Sequence, residues 1–319
     1  MVWLLDGPTP VLKILPADFM IIQRAKIPSL FKFLCVAGKF NFVIEIKIDM
    51  WLKRLVFPVL IFSLLLVSCK KQQKKTPEEK IPSKESVQAK TMTYKILRQF
   101  SHPGDRLYTQ GFEIDNGILY ESSGLYGKSA LKKIDLKTGK LLSSVDLKDF
   151  FAEGLTIHDG YLTLLTYREK KAYTYSLSDF SRKGIEFSYE TEGWGLANNG
   201  QQYIMSDGSD RIFFRNMMNF SVDRVINVKL RGKPVYYLNE LEYVDGKIYA
   251  NVYGVGRILV IDEKTGIAEA EIDVSNLNCS TISNANPEAV LNGIAYDKTT
   301  KTFYITGKEC PDIYEVIFE

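Results

Sequence analysis

From residue 93 onward the chain is written almost entirely in period two. Short runs alternate apolar with polar residues, as in Ile118-Leu-Tyr-Glu and Ser129-Ala-Leu-Lys-Lys-Ile-Asp. They are divided by Asp115-Asn-Gly, Lys137-Thr-Gly, Asp159-Gly, Asn198-Asn-Gly, Asp245-Gly and Lys264-Thr-Gly. Alternation marks a strand with one buried face, and Asx-Gly is the strongest short hairpin signal. The pattern predicts antiparallel hairpins and needs no helix. The hairpins also repeat. A polar or aromatic residue, usually a glycine, then an apolar run open five successive units: Gln110-Gly-Phe, Glu153-Gly-Leu, Trp194-Gly-Leu, Asn239-Glu-Leu and Asn292-Gly-Ile. They start 43, 41, 45 and 53 residues apart. A period near 45 with several strands per unit is the mark of a propeller blade. The expected fold is all-β, a five-bladed β-propeller over residues 93–319. The last unit shows only three strands, at 293–296, 302–306 and 313–318. Residues 94–100 are expected to add the fourth, so that an N-terminal strand closes the ring and leaves no large open edge.

Ahead of this domain the pattern changes. Met50-Trp-Leu-Lys-Arg is basic, residues 55–67 are almost wholly apolar, and Leu66-Val-Ser-Cys follows. That order describes a secretory signal over 50–68, and its apolar run is shorter than the roughly 20 residues of a membrane span. The Leu-Val-Ser-Cys end resembles the lipobox of bacterial lipoproteins. The resemblance implies a lipid anchor at Cys69 and attachment of the exported protein to the bacterial cell envelope, at a periplasmic or outer-membrane face. Residues 1–49 show no clean period and read as an upstream extension or a mis-assigned start. Residues 69–92, rich in Lys, Gln, Glu and Ser, read as a flexible tether.

Charge narrows the partners. The whole chain carries +3, but residues 91–319 hold 26 Lys/Arg against 31 Asp/Glu, a net of −5. No basic footprint for nucleic acid is present. Of four cysteines, Cys279 and Cys310 fall in the domain, where they either bridge or stand as separate thiols. The two histidines, His102 and His158, lie in no spacing that resembles a zinc site, so no metal ligands are assigned.

In a propeller the five phrase leaders ring one channel. The ends of the second strands return to the same mouth: Glu121-Ser122, Thr166-Tyr167, Ser206-Asp207, Asn251-Val-Tyr253 and Thr306-Gly-Lys308. Glu153 is the acid at a leading, channel-facing position, where burial would raise its pKa and suit it to proton transfer. Asp207 and Asp210 read as shapers of a tight turn.

Tyr108-Thr-Gln-Gly-Phe, Leu119-Tyr-Glu-Ser-Ser-Gly-Leu-Tyr-Gly, Glu153-Gly-Leu-Thr, Gly193-Trp-Gly-Leu, Met205-Ser-Asp-Gly-Ser-Asp, Leu238-Asn-Glu-Leu-Glu-Tyr, Leu291-Asn-Gly-Ile-Ala-Tyr-Asp and Thr306-Gly-Lys, in that order and spacing, resemble the plant-type glutamine cyclotransferases. These are five-bladed propellers, and the resemblance spans about 93–319. It implies a zinc-independent enzyme, a monomer acting on peptides or proteins with N-terminal glutamine and forming pyroglutamate and ammonia. It assigns Glu153 as general acid/base, Lys308 to the carboxamide or oxyanion, and Gln110, Asn239 and Trp194 to the substrate. Glu121 is expected to orient the substrate amine, and Asn292 completes the ring. Tyr167 and Tyr253 stand where the plant pattern has tryptophan, so they keep an aromatic wall of altered shape. No cofactor is expected for the chemistry, and a structural calcium in the channel is what the plant members would imply. The competing reading is a non-catalytic exported propeller that binds peptides or sugars at the same mouth; a lactonase-like propeller would want more channel carboxylates.

Overall fold

The structure, a computed structural model, describes residues 88–319 apart from 106, 278 and 280–287, together with the backbone of four short strands before residue 47. The signal, Cys69 and the tether as far as residue 87 lie outside the described residues. The chain divides into two units, residues 1–80 and 81–319. In the first, where the sequence offered no clean period, Val2–Leu4, Val11–Lys13, Phe31–Ala37 and Phe40–Ile46 form one sheet.

The second unit is a five-bladed propeller, and every element in it is a strand. The first blade comprises Thr109–Asp115, Ile118–Ser123, Ser129–Asp135 and Leu141–Leu147, running outward from the axis. Blades two, three and four begin at Ala152–His158, Leu196–Asn198 and Leu238–Val244. Blade five has Leu291–Asp297, Thr302–Gly307 and Asp312–Phe318, and Tyr94–Ser101 pairs antiparallel with the last of these, from Ser101 opposite Asp312 to Tyr94 opposite Phe318. The closing strand is therefore the one expected. Within the stretch expected to be a tether, Lys90–Met92 pairs parallel to Ala268–Asp273 as a fifth strand of blade four. Three residues reading Lys-Thr-Met are too short and too polar to announce a strand.

Local sequence explains the hairpins. Asn116-Gly117, Asp159-Gly160 and Asp245-Gly246 all have positive φ at both residues, near 48° and then 77–82°, which is the type I′ geometry whose twist matches paired strands. Burial falls from the axis outward: the inner strand of blade one is buried through its first four residues, while the outer strand is exposed over its first four. Apolar packing collects into five clusters, one at each interface between neighbouring blades. Phe112, Leu119 and Ile134 of blade one meet Ala295, Tyr304 and Ile313 of blade five in the cluster that closes the ring. Cys279 and Cys310 form a disulfide that ties the segment before blade five to the turn after Lys308.

In blades one, two, four and five the opening phrase is where the inner strand bulges. Pairing slips between Thr109 and Gly111, Ala152 and Leu155, Leu238 and Leu241, and Leu291 and Ile294. A bulge re-aims side chains and bends the strand, and here it turns the phrase leader toward the axis. The glycine after it lets blades touch through backbone: a Cβ on Gly111 would strike the nitrogen of Leu155, and one on Gly154 that of Leu196. Blade four replaces this glycine with Glu240. Its carboxylate fills the axis and accepts backbone N–H groups from Phe112 at 3.2 Å and Ile294 at 2.7 Å.

Candidate active site

At the end of the channel where the inner strands begin, a cavity of about 300 Å³ opens. Gln110, Glu153, Trp194 and Asn239, the leaders of blades one to four, line it with Tyr167, Tyr253 and Lys308. Bulges place Gln110, Glu153 and Asn239, Trp194 lies just before the inner strand of blade three, and Lys308 follows the second strand of blade five. The Gly154 N–H donates to the Trp194 carbonyl at 2.7 Å, and the Ser206 hydroxyl donates to the Asn239 carbonyl at 2.7 Å, so neighbouring blades are tied through the carbonyls of the leaders.

Glu153 and Lys308 are each 5% exposed. Burial pushes the Glu153 carboxyl well above the ordinary range; Lys308 opposes this, while Glu192 and Glu169 add to it. Burial lowers the Lys308 ammonium, against the pull of Glu153 and Glu288. Among the described residues the Glu153 carboxylate makes no hydrogen bond, so it is uncommitted to structure. The Lys308 ammonium lies over the rings of Tyr108 and Tyr253, 4.9 and 4.7 Å from their centroids, a desolvated cation held by aromatic faces.

Two amides complete the floor. Asn239 is 2% exposed and, among the described residues, its Oδ1 has no hydrogen-bond partner. A buried acceptor left unmatched costs about 1–3 kcal/mol, so this oxygen is poised for a donor that enters the cavity. Gln110 Oε1 accepts from Asn292 Nδ2 at 3.3 Å, which directs its amide nitrogen away from Asn292. Trp194 stands edge-on to Tyr253, with centroids 6.2 Å apart, and its indole N–H donates to Glu192 at 3.2 Å.

Two expected site residues are not in the cavity. Glu121 lies inside the interface of blades one and five. Its Oε2 is 2.9 Å from His102 Nε2 and 3.3 Å from Lys132 Nζ, and its Oε1 accepts from the Thr109 hydroxyl at 2.9 Å. Alternation is the reason: Ser122 faces the neighbouring blade and donates to the Glu153 carbonyl at 2.5 Å, so Glu121 must face the other way. Asn292 is fully buried beneath the cavity and bonds the Thr109 carbonyl and Gln110 instead of facing the opening. Asp207 caps its own turn through the Ser209 N–H at 3.1 Å.

The structure adds Tyr108, Phe151 and Glu288 to the lining. Tyr108 and Phe151 each lie two residues before a phrase leader, a period-two signal that could have found them. Phe151 joins Tyr167 at 5.5 Å and Tyr108 at 6.2 Å in a continuous aromatic wall. Glu288 belongs to no repeat and has no such signal.

The other end of the channel, where the hairpin turns gather, holds a larger cavity of about 710 Å³. Its half-buried acids are taken by strand backbone: Glu113 accepts from the Ile157 N–H at 3.0 Å, and Glu242 from the N–H groups of Tyr243 at 2.7 Å and Tyr296 at 3.0 Å. Among the described residues no group of three or more His, Cys, Asp or Glu is arranged to hold a metal. At the axis both Glu240 oxygens accept backbone N–H groups, and burial pushes its carboxyl well above the ordinary range.

A family model described as glutamine cyclotransferase matches residues 61–318. A glutaminyl-peptide cyclotransferase of Arabidopsis thaliana is 34% identical over 225 residues, covering 69% of this chain and 70% of that protein. The crystal structure of Myxococcus xanthus glutaminyl cyclase aligns with a TM-score of 0.67 at 33% identity, covering 73% of this chain and 99% of that one.

Proposed function

Because the chain belongs to the glutamine cyclotransferase family, we infer that its cavity converts the N-terminal glutamine of peptides and proteins to pyroglutamate with release of ammonia. The observation that carries this reading is the meeting of an uncommitted buried acid, a desolvated lysine and an unpartnered amide oxygen within one aromatic wall.

The reaction needs no external nucleophile. The α-amine of the substrate attacks the carboxamide carbon of its own side chain, a C–N bond forms, and the carbonyl oxygen takes the negative charge. Glu153 as carboxylate accepts the proton that the attacking nitrogen must lose. It then gives that proton to the departing amide nitrogen, the old C–N bond breaks, and ammonia leaves while Glu153 returns to its starting form. One acid thus serves as base and then as acid. Its raised pKa matches both steps better than an ordinary carboxylate would. Lys308 stabilises the oxyanion in a site where water is scarce. Gln110 and Asn239 hold the carboxamide and amine close enough to react, and Trp194 with Tyr253 and Tyr167 confines the chain of the side chain. Ammonia release from a glutamine-initiated peptide, with Glu153→Gln as the control, tests this assignment.

The address is part of the same proposal. Residues 50–68 act as a lipoprotein signal, Cys69 carries the lipid, and the propeller works as a monomer at the bacterial cell envelope on a short tether.

A further inference from the structure

The lip of the cavity carries an acid that the cyclisation leaves without a task. Glu288 is exposed, whereas Glu153, Gln110, Asn239 and Lys308 are buried. It therefore stands where a peptide held by its first residue leaves the cavity. Its position is built. One oxygen, Oε2, accepts from the hydroxyls of both Tyr108 and Tyr253, each at 2.8 Å. The faces of the same two rings carry the Lys308 ammonium. Two tyrosines thus hold a cation on their faces and an anion on their hydroxyls.

Tyr253 gives this arrangement its meaning. A tryptophan at that position would keep the wall and the cation–π contact but would lose the phenol that fixes Glu288. Hydrogen bonds from Tyr108 and Tyr253, with Lys308 behind them, hold the Glu288 carboxyl below its ordinary value, so the lip is anionic at neutral pH. Glu169 and Glu192 add negative charge at the same mouth, close enough to act on Glu153, and Arg168 beside them is paired with Glu192 at 3.3 Å.

Resting on the cyclotransferase reading of this site, we propose that Glu288 is a specificity determinant that favours substrates with lysine or arginine directly after the N-terminal glutamine. The cation of that residue would meet a carboxylate already oriented by two donors, so little ordering is left to be done on binding.

The test compares kcat/KM on Gln-Lys, Gln-Ala and Gln-Glu peptides of equal length. The wild type should prefer Gln-Lys over Gln-Glu by about fivefold, less at high salt, as expected for a solvent-facing charge pair. Glu288→Gln should bring the ratio near one. Tyr253→Phe, which keeps the ring over Lys308 and removes only the hydroxyl, should lower it part of the way. A wild type without the preference, or a Glu288→Gln variant that retains it, overturns the proposal while leaving the cyclotransferase reading intact. A wild type that turns over none of the three peptides overturns that reading, and this inference with it.

Discussion

His102 and Glu121 meet at 2.9 Å where solvent does not reach either side chain. The other ring nitrogen of His102 lies 3.1 Å from the Cys310 carbonyl and 3.2 Å from the Thr306 hydroxyl. Glu121 belongs to the first blade and Thr306 to the last, so this buried network staples the ring at its closure, beside the turn that bears Lys308. Glu121→Ala removes the acceptor that His102 and Lys132 share. Breaking a buried pair by removing one partner costs about 3–5 kcal/mol, so thermal or denaturant unfolding should show a loss of that order. Turnover per folded molecule should survive, because the carboxylate does not reach the cavity. The pH dependence has a definite sign. Burial alone would raise the Glu121 carboxyl, but His102 and Lys132 outweigh it and hold it at about 2 against an ordinary 4.5. Its stabilisation is therefore complete above pH 4.5 and fades as pH falls toward 2, and the variant should lack that component of acid unfolding.

The propeller was legible because its code is local. Alternation, Asx-Gly turns and a glycine after four of the five leaders are all written within a few residues, and together they set blade number, strand order and the closing strand. Placement at the mouth was only partly legible. Gln110, Glu153 and Asn239 converge because bulges turn these leaders inward, while Trp194 reaches the mouth from the segment just before its strand. Glu121 was misplaced because a second-strand end supplies two adjacent residues, and only the packing of blades decides which one faces the axis. Asn292 leads its phrase like the others, yet it spends its amide on Thr109 and Gln110. Glu288 comes from an irregular connection, where no period marks it, and only the hydroxyls of Tyr108 and Tyr253 identify its place.

Lys308 and Glu153 predict a pH profile. Glu153 must start as the carboxylate, so kcat should rise with pH through its elevated pKa. Lys308 favours the anion, and Lys308→Met should therefore move the acid limb to higher pH. The same change removes oxyanion stabilisation and should lower the plateau kcat about 100-fold. Profiles of kcat at saturating peptide check this, since the substrate amine titrates alike with both proteins. An acid limb that stays in place would separate the lysine from the acid.

Asn239 offers an oxygen that nothing in the described protein uses. Asn239→Leu preserves volume and removes that acceptor. The expected loss in kcat/KM is about 10- to 100-fold, the range for a polar group left without its buried partner. Steady-state kinetics on a glutamine-initiated peptide measure it, and a change below about twofold would assign Asn239 to packing.

The proposed anchor makes Cys69 separable from the propeller. Cys69→Ser should leave the protein unprocessed or release it from the membrane fraction, with cyclisation by the isolated propeller retained. Unchanged membrane fractionation would contradict lipidation at that residue.

The central claim is that one buried acid moves the proton from the attacking amine to the leaving nitrogen. Ammonia release from a glutamine-initiated peptide, measured for wild type and Glu153→Gln with folding verified, tests it most directly. The account predicts ammonia and pyroglutamate in equal amounts from the wild type, and a fall in kcat of about 100- to 10,000-fold in the variant, as for loss of a general acid/base. Turnover by Glu153→Gln equal to that of the wild type would contradict it.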